Sequence, residues 1–253
     1  MSKDFHVVIP ARYASTRLPG KPLLDIAGLP MVVRVAENAA AAGARSVVVA
    51  TDDERVVEAC SSAGVEALLT REDHSSGTDR VHEVALRKGF SADEVVVNVQ
   101  GDEPLLPSQF IRLVGVELHE DTAVNVCTLR EPILDVADLD DTNIVKVVTD
   151  RCDRALYFSR AAIPLTRPDS GYDRLAQQGN LGWRHVGLYA FRVSQLADFV
   201  ALEPSKLEAQ ELLEQLRLLD NGVPIKVLPV AQAIPGGVDT PVDLQRVRSQ
   251  LGA

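Results

Sequence analysis

Through its first half the chain alternates short β-branched runs with longer amphipathic segments, a rhythm that few folds accept. Val7–Ile9, Ser46–Ala50, Val65–Leu69, Val95–Val99 and Ala123–Thr128 read as strands. Between them Met31–Ala42, Asp53–Ala63, Thr78–Lys88 and Pro107–Glu120 read as helices. Pro30 precedes the first helix and Gly43 follows it, while Gly64 and Gly89 close the next two. Proline at a helix start loses nothing, because the first N–H groups have no partner there, and glycine takes the left-handed turn at the end. Strands that are apolar on both faces must be covered on both faces. The expected fold class is α/β, with a parallel sheet between helices.

After Pro132 the rhythm changes. Ile144–Thr149 and Arg154–Phe158 flank a turn at Asp150–Asp153, which predicts an antiparallel hairpin. A polar stretch, 164–182, leads to a strand at Arg184–Phe191 and helices at Val193–Ala201 and Lys206–Leu219. The second helix carries apolar residues at 207, 212, 213, 216 and 219. A strand at Ile225–Leu228 and a helix from Pro241 complete the pattern. The chain reads as a single domain over 1–253 with a β-rich insertion at about 130–190, an excursion of the kind that covers a site or makes a dimer contact.

A chain of 253 residues buries roughly 70–75% of its unfolded surface, so a core is easily built. The net charge of −10 argues against nucleic acid, whose binding draws affinity from a basic face. Cys60, Cys127 and Cys152 are far apart and odd in number, as free thiols in a reducing compartment are. The N-terminus lacks the apolar core of a signal peptide, and no apolar run approaches the ~18–20 residues of a membrane span. A soluble cytoplasmic protein with no membrane partner is expected.

Against that acidic background one loop is basic. Directly after Val7–Pro10, Arg12, Arg17 and Lys21 fall within one turn of chain, together with Ser15 and Gly20. Ligands of open α/β sheets bind where strands end, and three fixed cations there suit a nucleoside triphosphate. The loop is not a P-loop, since Gly20-Lys21 is followed by Pro22, nor a dinucleotide fingerprint, since no glycine precedes position 20. The alternative is a solvated basic loop.

Gln100-Gly101-Asp102-Glu103-Pro104 stands at the end of the fourth parallel strand, on the same edge. Asp102 there reads as a magnesium ligand or as a helix cap. Asp239, just before the helix at Pro241, offers the second carboxylate and reads equally as a cap. Ser76, Thr78 and Arg80 open a helix whose free N–H groups can bind base or ribose, though an ordinary capped helix is the default for that segment. The Thr51-Asp52-Asp53 turn reads as a cap for the next helix. His185, Gly187 and Tyr189 share one strand face, with room for a ligand over the glycine; a structural His–Tyr pair is the other reading. Glu214 and Gln215 are equally at home on a helix surface.

In order along the chain stand R-x-x-S-x-R-L-P-G-K-P, S-G-T-D-R, V-N-V-Q-G-D-E-P, A-L-Y-F-S-R, R-H-V-G-L-Y, L-E-Q-L-R and G-V-D-T-P. Seven motifs in this order resemble the 3-deoxy-manno-octulosonate (Kdo) cytidylyltransferases from about Val7 to the last helix. The resemblance implies a nucleotide-diphospho-sugar transferase-like α/β sandwich with a mixed sheet, in a homodimer. It implies transfer of CMP from CTP to Kdo with release of pyrophosphate, dependent on Mg2+, for lipopolysaccharide. By matched motif, Arg12, Ser15, Arg17 and Lys21 contact the CTP phosphates and sugar, and Ser76, Thr78 and Arg80 hold the nucleotide further. Arg12, Lys21 and Asp102 carry catalysis. Asp102 and Asp239 correspond to the magnesium aspartates, and Gln100, Arg160, His185, Tyr189, Glu214 and Gln215 to the acid-sugar pocket. 8-Amino-Kdo and sialic acid are the alternative acceptors. A glycosyltransferase would need a D-x-D motif where Asp102-Glu103 stands, and a nucleotide sensor would have no use for the second aspartate.

Overall fold

The computed structural model describes residues 5–14, 17–165, 167 and 180–252. Its elements run β1 (Phe5–Pro10), a 3₁₀ turn (Lys21–Leu23), β2 (Asp25–Ile26), β3 (Leu29–Pro30) and α1 (Met31–Ala41). Then come β4 (Val47–Thr51), α2 (Glu54–Ser62), β5 (Glu66–Leu69), α3 (Gly77–Arg87), β6 (Val95–Asn98) and α4 (Ser108–Glu120). Next are β7 (Val126–Ile133), α5 (Val136–Asp140), β8 (Lys146–Thr149), β9 (Ala155–Ser159) and β10 (Gly182–Arg192). The rest are α6 (Val193–Ala201), α7 (Lys206–Glu211), α8 (Leu216–Asp220), β11 (Lys226–Pro229) and α9 (Pro241–Gln250). Two compact units divide the chain. One takes Met1–Thr122, Leu188–Val200 and Pro235–Ala253, the other Ala123–Gly187 and Ala201–Ile234. The second is wider than the 130–190 excursion read from the sequence, and it draws on the later helices as well.

In the first unit β6, β1, β4 and β5 lie side by side and parallel, with Val7 opposite Val47 and Phe5 opposite Val95. The end of β10 adds antiparallel to β6, Tyr189 facing Asn98, so the sheet is mixed and mostly parallel. Helices cover both faces, as alternation along β1 shows. Phe5 points to α4, where a Cβ on Gly115 would lie 2.5 Å from its ring; Pro10 points the other way, to Gly77 at the start of α3. Every β1 residue is buried, which is why Val7–Ile9 carries no polar alternation. The parallel strands end on one edge, and the basic loop, the Thr51 turn and Gln100–Asp102 all follow strands that end there.

In the second unit β7 runs parallel to β11, while β8 and β9 form the antiparallel hairpin expected around Asp150–Asp153. Two expectations change here. The strand read as ending at Thr128 continues to Ile133, because its charges are buried in pairs. Arg130 bonds Thr149 and Asp153 and lies over the Trp183 ring, and Glu131 is ion-paired with Arg184 at 2.8 Å and accepts from the Ile234 N–H at 2.6 Å. The helix read as Lys206–Leu219 is broken at Leu212, which takes a left-handed φ of 54°. Arg217 donates to both oxygens of Glu208, at 2.8 and 2.6 Å. Nine residues apart on one helix, those side chains would face opposite ways, so the bidentate pair requires the break. Remaining boundaries agree within a few residues. The β2–β3 ribbon has no sequence signal, being two residues per strand.

Candidate active site

A cleft of about 280 Å3 opens at the carboxyl edge of the first unit's sheet, lined among others by Arg12, Lys21, Ser76, Gly77, Arg80, Gln100 and Asp102. Local sequence shapes it at two glycines. Gly20, at φ 67°, turns the chain left-handed to start the 3₁₀ turn that carries Lys21. At Gly101 a Cβ would lie 2.8 Å from the Pro10 carbonyl, so only glycine lets β1 and β6 deliver their loops side by side.

Asp239 reaches this edge through packing. Leu18, Ile26 and Met31 share a buried cluster with Val238, Leu244 and Val247, which fixes the 235–241 segment against the basic loop's base. The Val238 N–H then donates to the Asp102 carbonyl at 2.8 Å. The two aspartates consequently converge. Lys21 Nζ donates to Asp102 Oδ2 at 2.6 Å, to Asp239 Oδ1 at 3.0 Å and to the Val238 carbonyl at 3.0 Å. Arg17 Nη2 lies 3.1 Å from the same Asp239 oxygen. Burial disfavours the Lys21 ammonium, but Asp102 and then Asp239 outweigh it and hold the pKa above the ordinary lysine value.

The cap alternatives separate cleanly. The residue before α4 is Pro107, so Asp102 caps nothing, and Thr240 rather than Asp239 caps α9 in a box with Asp243. Ser76 is the opposite case: it caps α3, boxed with Asp79, while still lining the cleft. Thr78 is buried, and Arg80 turns into the cleft wall, donating to Thr70, the Arg71 carbonyl and Asp52. The side chains of Arg12 and Arg17 are 58% and 66% exposed, free to turn toward an incoming anion. Ser15 lies outside the described residues, as does most of the 164–182 stretch. Gln100 lines the cleft beside Gly77. Tyr189 stacks on Phe191 at 5.6 Å between ring centres.

Among the described residues no three His, Cys, Asp or Glu side chains gather as a closed metal cage. Asp102 and Asp239 nevertheless present oxygens to one shared cation, with a carbonyl beside them. Hard oxygen donors, few in number and open on one side, are what magnesium accepts when phosphates and waters complete its shell. The donor set fits that ion.

The other acid-sugar candidates lie in the second unit. Arg160 is half-buried and donates to the carbonyls of Glu211, Thr142 and Leu212, while Glu211, which no sequence pattern marks, accepts from Ser159 Oγ at 2.7 Å and the Arg160 N–H at 3.0 Å. Lys146, absent from the sequence candidates too, is fully buried, its ammonium donating to the carbonyls of Asp141, Ile144 and Arg160. A lone lysine inside the apolar Val145–Thr149 run is the signal that could have found it. Glu214 and Gln215 sit in the turn between α7 and α8, with Gln215 buried. Next to His185, Gly187 leaves open space over its Cα.

His185 packs edge-on to Phe158 and contacts Thr128 Oγ1 at 3.1 Å. Because that hydroxyl donates to the Val186 carbonyl, the ring's Nε2 must carry the donating hydrogen. Desolvation, then the neighbouring Arg184 charge, pushes the His185 pKa down to about 3. The unfolded ring protonates near 6.5 and the folded ring does not until about pH 3. Stability from this group is therefore whole above pH 6.5 and is lost on acidification. Between pH 7 and 5, wild type is expected to lose about 1–2 kcal/mol more than His185→Gln in urea titrations; parallel losses would place the ring in a solvated setting.

A family model for cytidylyltransferases matches residues 6–226. The chain is 54% identical to 3-deoxy-manno-octulosonate cytidylyltransferase of Pseudomonas fluorescens, over 100% of both chains. It is 48% identical to the enzyme of that name from Alcanivorax borkumensis, over 98% of this chain and 99% of the other. Its fold is similar to that of CMP:2-keto-3-deoxy-manno-octonic acid synthetase, solved in complex with CTP, with TM-score 0.89, 42% identity and 98% of each chain covered. A cytidylyltransferase from Leptospira borgpetersenii, TM-score 0.60 at 16% identity over 99% and 87% of the chains, shares the fold.

Proposed function

The chain belongs to the 3-deoxy-manno-octulosonate cytidylyltransferase family, and we propose that the residues just described are its working parts. The enzyme transfers CMP from CTP to the anomeric hydroxyl of Kdo, giving CMP-Kdo and pyrophosphate. Relatives named for Kdo over the full chain favour that sugar over 8-amino-Kdo or sialic acid. The observation that carries the site assignment is the convergence of Lys21, Asp102 and Asp239 beside Arg12 and Arg17, at one sheet edge.

In this reading Arg12, Arg17 and Lys21 receive the triphosphate, with Ser15 as a further donor. A polyanion and an acid sugar repel each other, and at a cleft's reduced dielectric fixed cations offset that repulsion far better than they would in water. As the anomeric oxygen attacks the α-phosphorus, charge builds on the phosphoryl and the departing pyrophosphate. Lys21, kept at this edge by two carboxylates, would meet that charge by exchanging one of its contacts for a phosphate oxygen. Asp102 and Asp239 would hold Mg2+, which when bound neutralises phosphate charge and makes an incoming hydroxyl more acidic. Ser76, Thr78 and Arg80 are assigned to the nucleotide, with Arg80 acting from within the wall. Gln100, Arg160, His185, Tyr189, Glu214 and Gln215 are assigned to the sugar; His185, being neutral, serves as a hydrogen-bond partner rather than a cation. A homodimer in the cytoplasm, where CTP is made, completes the proposal. It is supported by the family resemblance, and among the described residues no helix is long and apolar enough to cross a membrane.

A coupled pyrophosphate assay tests the whole reading. With CTP and magnesium, pyrophosphate is expected only when Kdo is added, and turnover should stop on chelation and return with magnesium. Release without sugar, faster release with sialic acid, or indifference to chelation would overturn it.

A further inference from the structure

The turn after β4 offers two adjacent aspartates where a helix cap needs one. Asp53 is the cap of α2, accepting from the Arg55 N–H at 2.9 Å. Asp52 therefore has another task, and its partners show which. Its Oδ1 accepts the Tyr13 N–H at 3.0 Å, and its Oδ2 accepts Arg80 Nη2 at 2.7 Å and stands 3.7 Å from Arg12 Nε. The Asp52 side chain is 10% exposed and that of Arg80 is 3%. A carboxylate beside a triphosphate site raises the cost of bringing the anion in, and Arg80 keeps this one neutralised.

The neighbouring contacts extend the grip along the loop. Asp53 holds the Arg55 guanidinium by two hydrogen bonds, and that guanidinium lies 3.7 Å over the Tyr13 ring. The far end of the ring lies against Gly20, where an added Cβ would be 3.1 Å from the Tyr13 hydroxyl. Backbone and ring of Tyr13 are thus fixed between Arg12 on one side and the start of the Lys21 turn on the other.

We propose, resting on the assignment of Arg12 to the triphosphate, that Asp52 is a positioning residue that sets Arg12 and the 11–14 loop for phosphoryl transfer. It acts through the Tyr13 N–H and is held in its own place by Arg80, touching no substrate. When triphosphate arrives, Arg12 turns from its loose approach to Asp52 onto phosphate, while Arg80 remains to balance the carboxylate.

Steady-state kinetics with CTP and Kdo on D52A and D52N, with R12A as reference, test this. A misplacement of about 1 Å costs up to 10²-fold, so D52A is expected to lose about 30–100-fold in kcat with the KM for Kdo unchanged. D52N keeps an oxygen for the Tyr13 N–H but loses the charge that pairs with Arg80, so it is expected to regain most of that loss and yet stay roughly two- to tenfold below wild type. A purely structural Asp52 would lower the melting temperature but leave turnover per folded molecule intact, and that result overturns the inference. So does a D52N as slow as D52A. Should D52A fail to fold, D52N decides: a reduced kcat at constant Kdo KM supports the role, and wild-type kcat ends it. Wild-type turnover in R12A would instead remove the nucleotide assignment itself, whatever Asp52 does.

Discussion

Replacing Lys21 with alanine is expected to lower kcat by about 10²–10³, the usual cost of removing one preorganised electrostatic group. The ammonium gives its three N–H groups to three oxygens at 2.6 to 3.0 Å, which fixes its place at this edge, and it meets developing charge by exchanging one of those contacts for a phosphate oxygen. Its charge is secure at working pH, because the two aspartates outweigh the penalty of burial. An interaction that strengthens in the transition state appears in kcat and kcat/KM together, whereas one that merely binds CTP appears in KM alone. The KM for CTP should accordingly rise less than kcat falls. Lys21→Arg is not expected to rescue, since a planar fork cannot replace a point charge among three convergent oxygens. Circular dichroism and thermal melting must show a folded variant. Wild-type turnover in a folded Lys21→Ala enzyme would take Lys21 out of the chemistry.

Much of this site is legible in the amino-acid sequence, for physical reasons that particular residues display. Val7–Ile9 and Val95–Val99 announce buried parallel strands because no face of them meets water. Once their direction is known, the loop holding Lys21 and the turn holding Asp102 must share an edge. That Asp239 joins them has no local signal: it lies 218 positions from Lys21, and an apolar cluster carries it there. Only the position of Thr240 as the cap of α9 resolves the ambiguity of Asp239.

What stays hidden is mostly polar side chains whose partners lie in another element of the fold. Asp52 resembles part of a cap because its partners Tyr13 and Arg80 are 39 and 28 positions away. The apolar stripe from 207 to 219 suits a continuous helix, and nothing local reveals that Arg217 must fold back on Glu208. Arg130 and Glu131 argue against a buried strand until Asp153 and Arg184 are placed opposite them. Periodicity reports burial of apolar groups, whereas a buried ion pair imitates surface.

Asp102→Asn should abolish measurable turnover at millimolar magnesium, a loss of about 10³ or more if one of two metal carboxylates is spent. The substitution is nearly isosteric, and the fold has little reason to notice. The Asp102 carbonyl, which accepts the Val238 N–H, is untouched, and Lys21 keeps Asp239 as a counter-ion. The Asp102 side chain is 32% exposed, so the lost ion pair is worth about 1 kcal/mol or less after solvent screening. A melting temperature within a few degrees of wild type is therefore expected. Metal affinity separates this role from a general electrostatic one. Manganese binding followed by electron paramagnetic resonance in the presence of CTP should weaken at least tenfold in Asp102→Asn, and comparably in Asp239→Asn. If the two aspartates hold one ion, their double variant should lose little beyond either single one, since groups acting as a unit are not additive. Full activity of Asp102→Asn at low magnesium, or unaltered manganese binding in both variants, would mean that the carboxylates gathered around Lys21 serve only to hold the lysine.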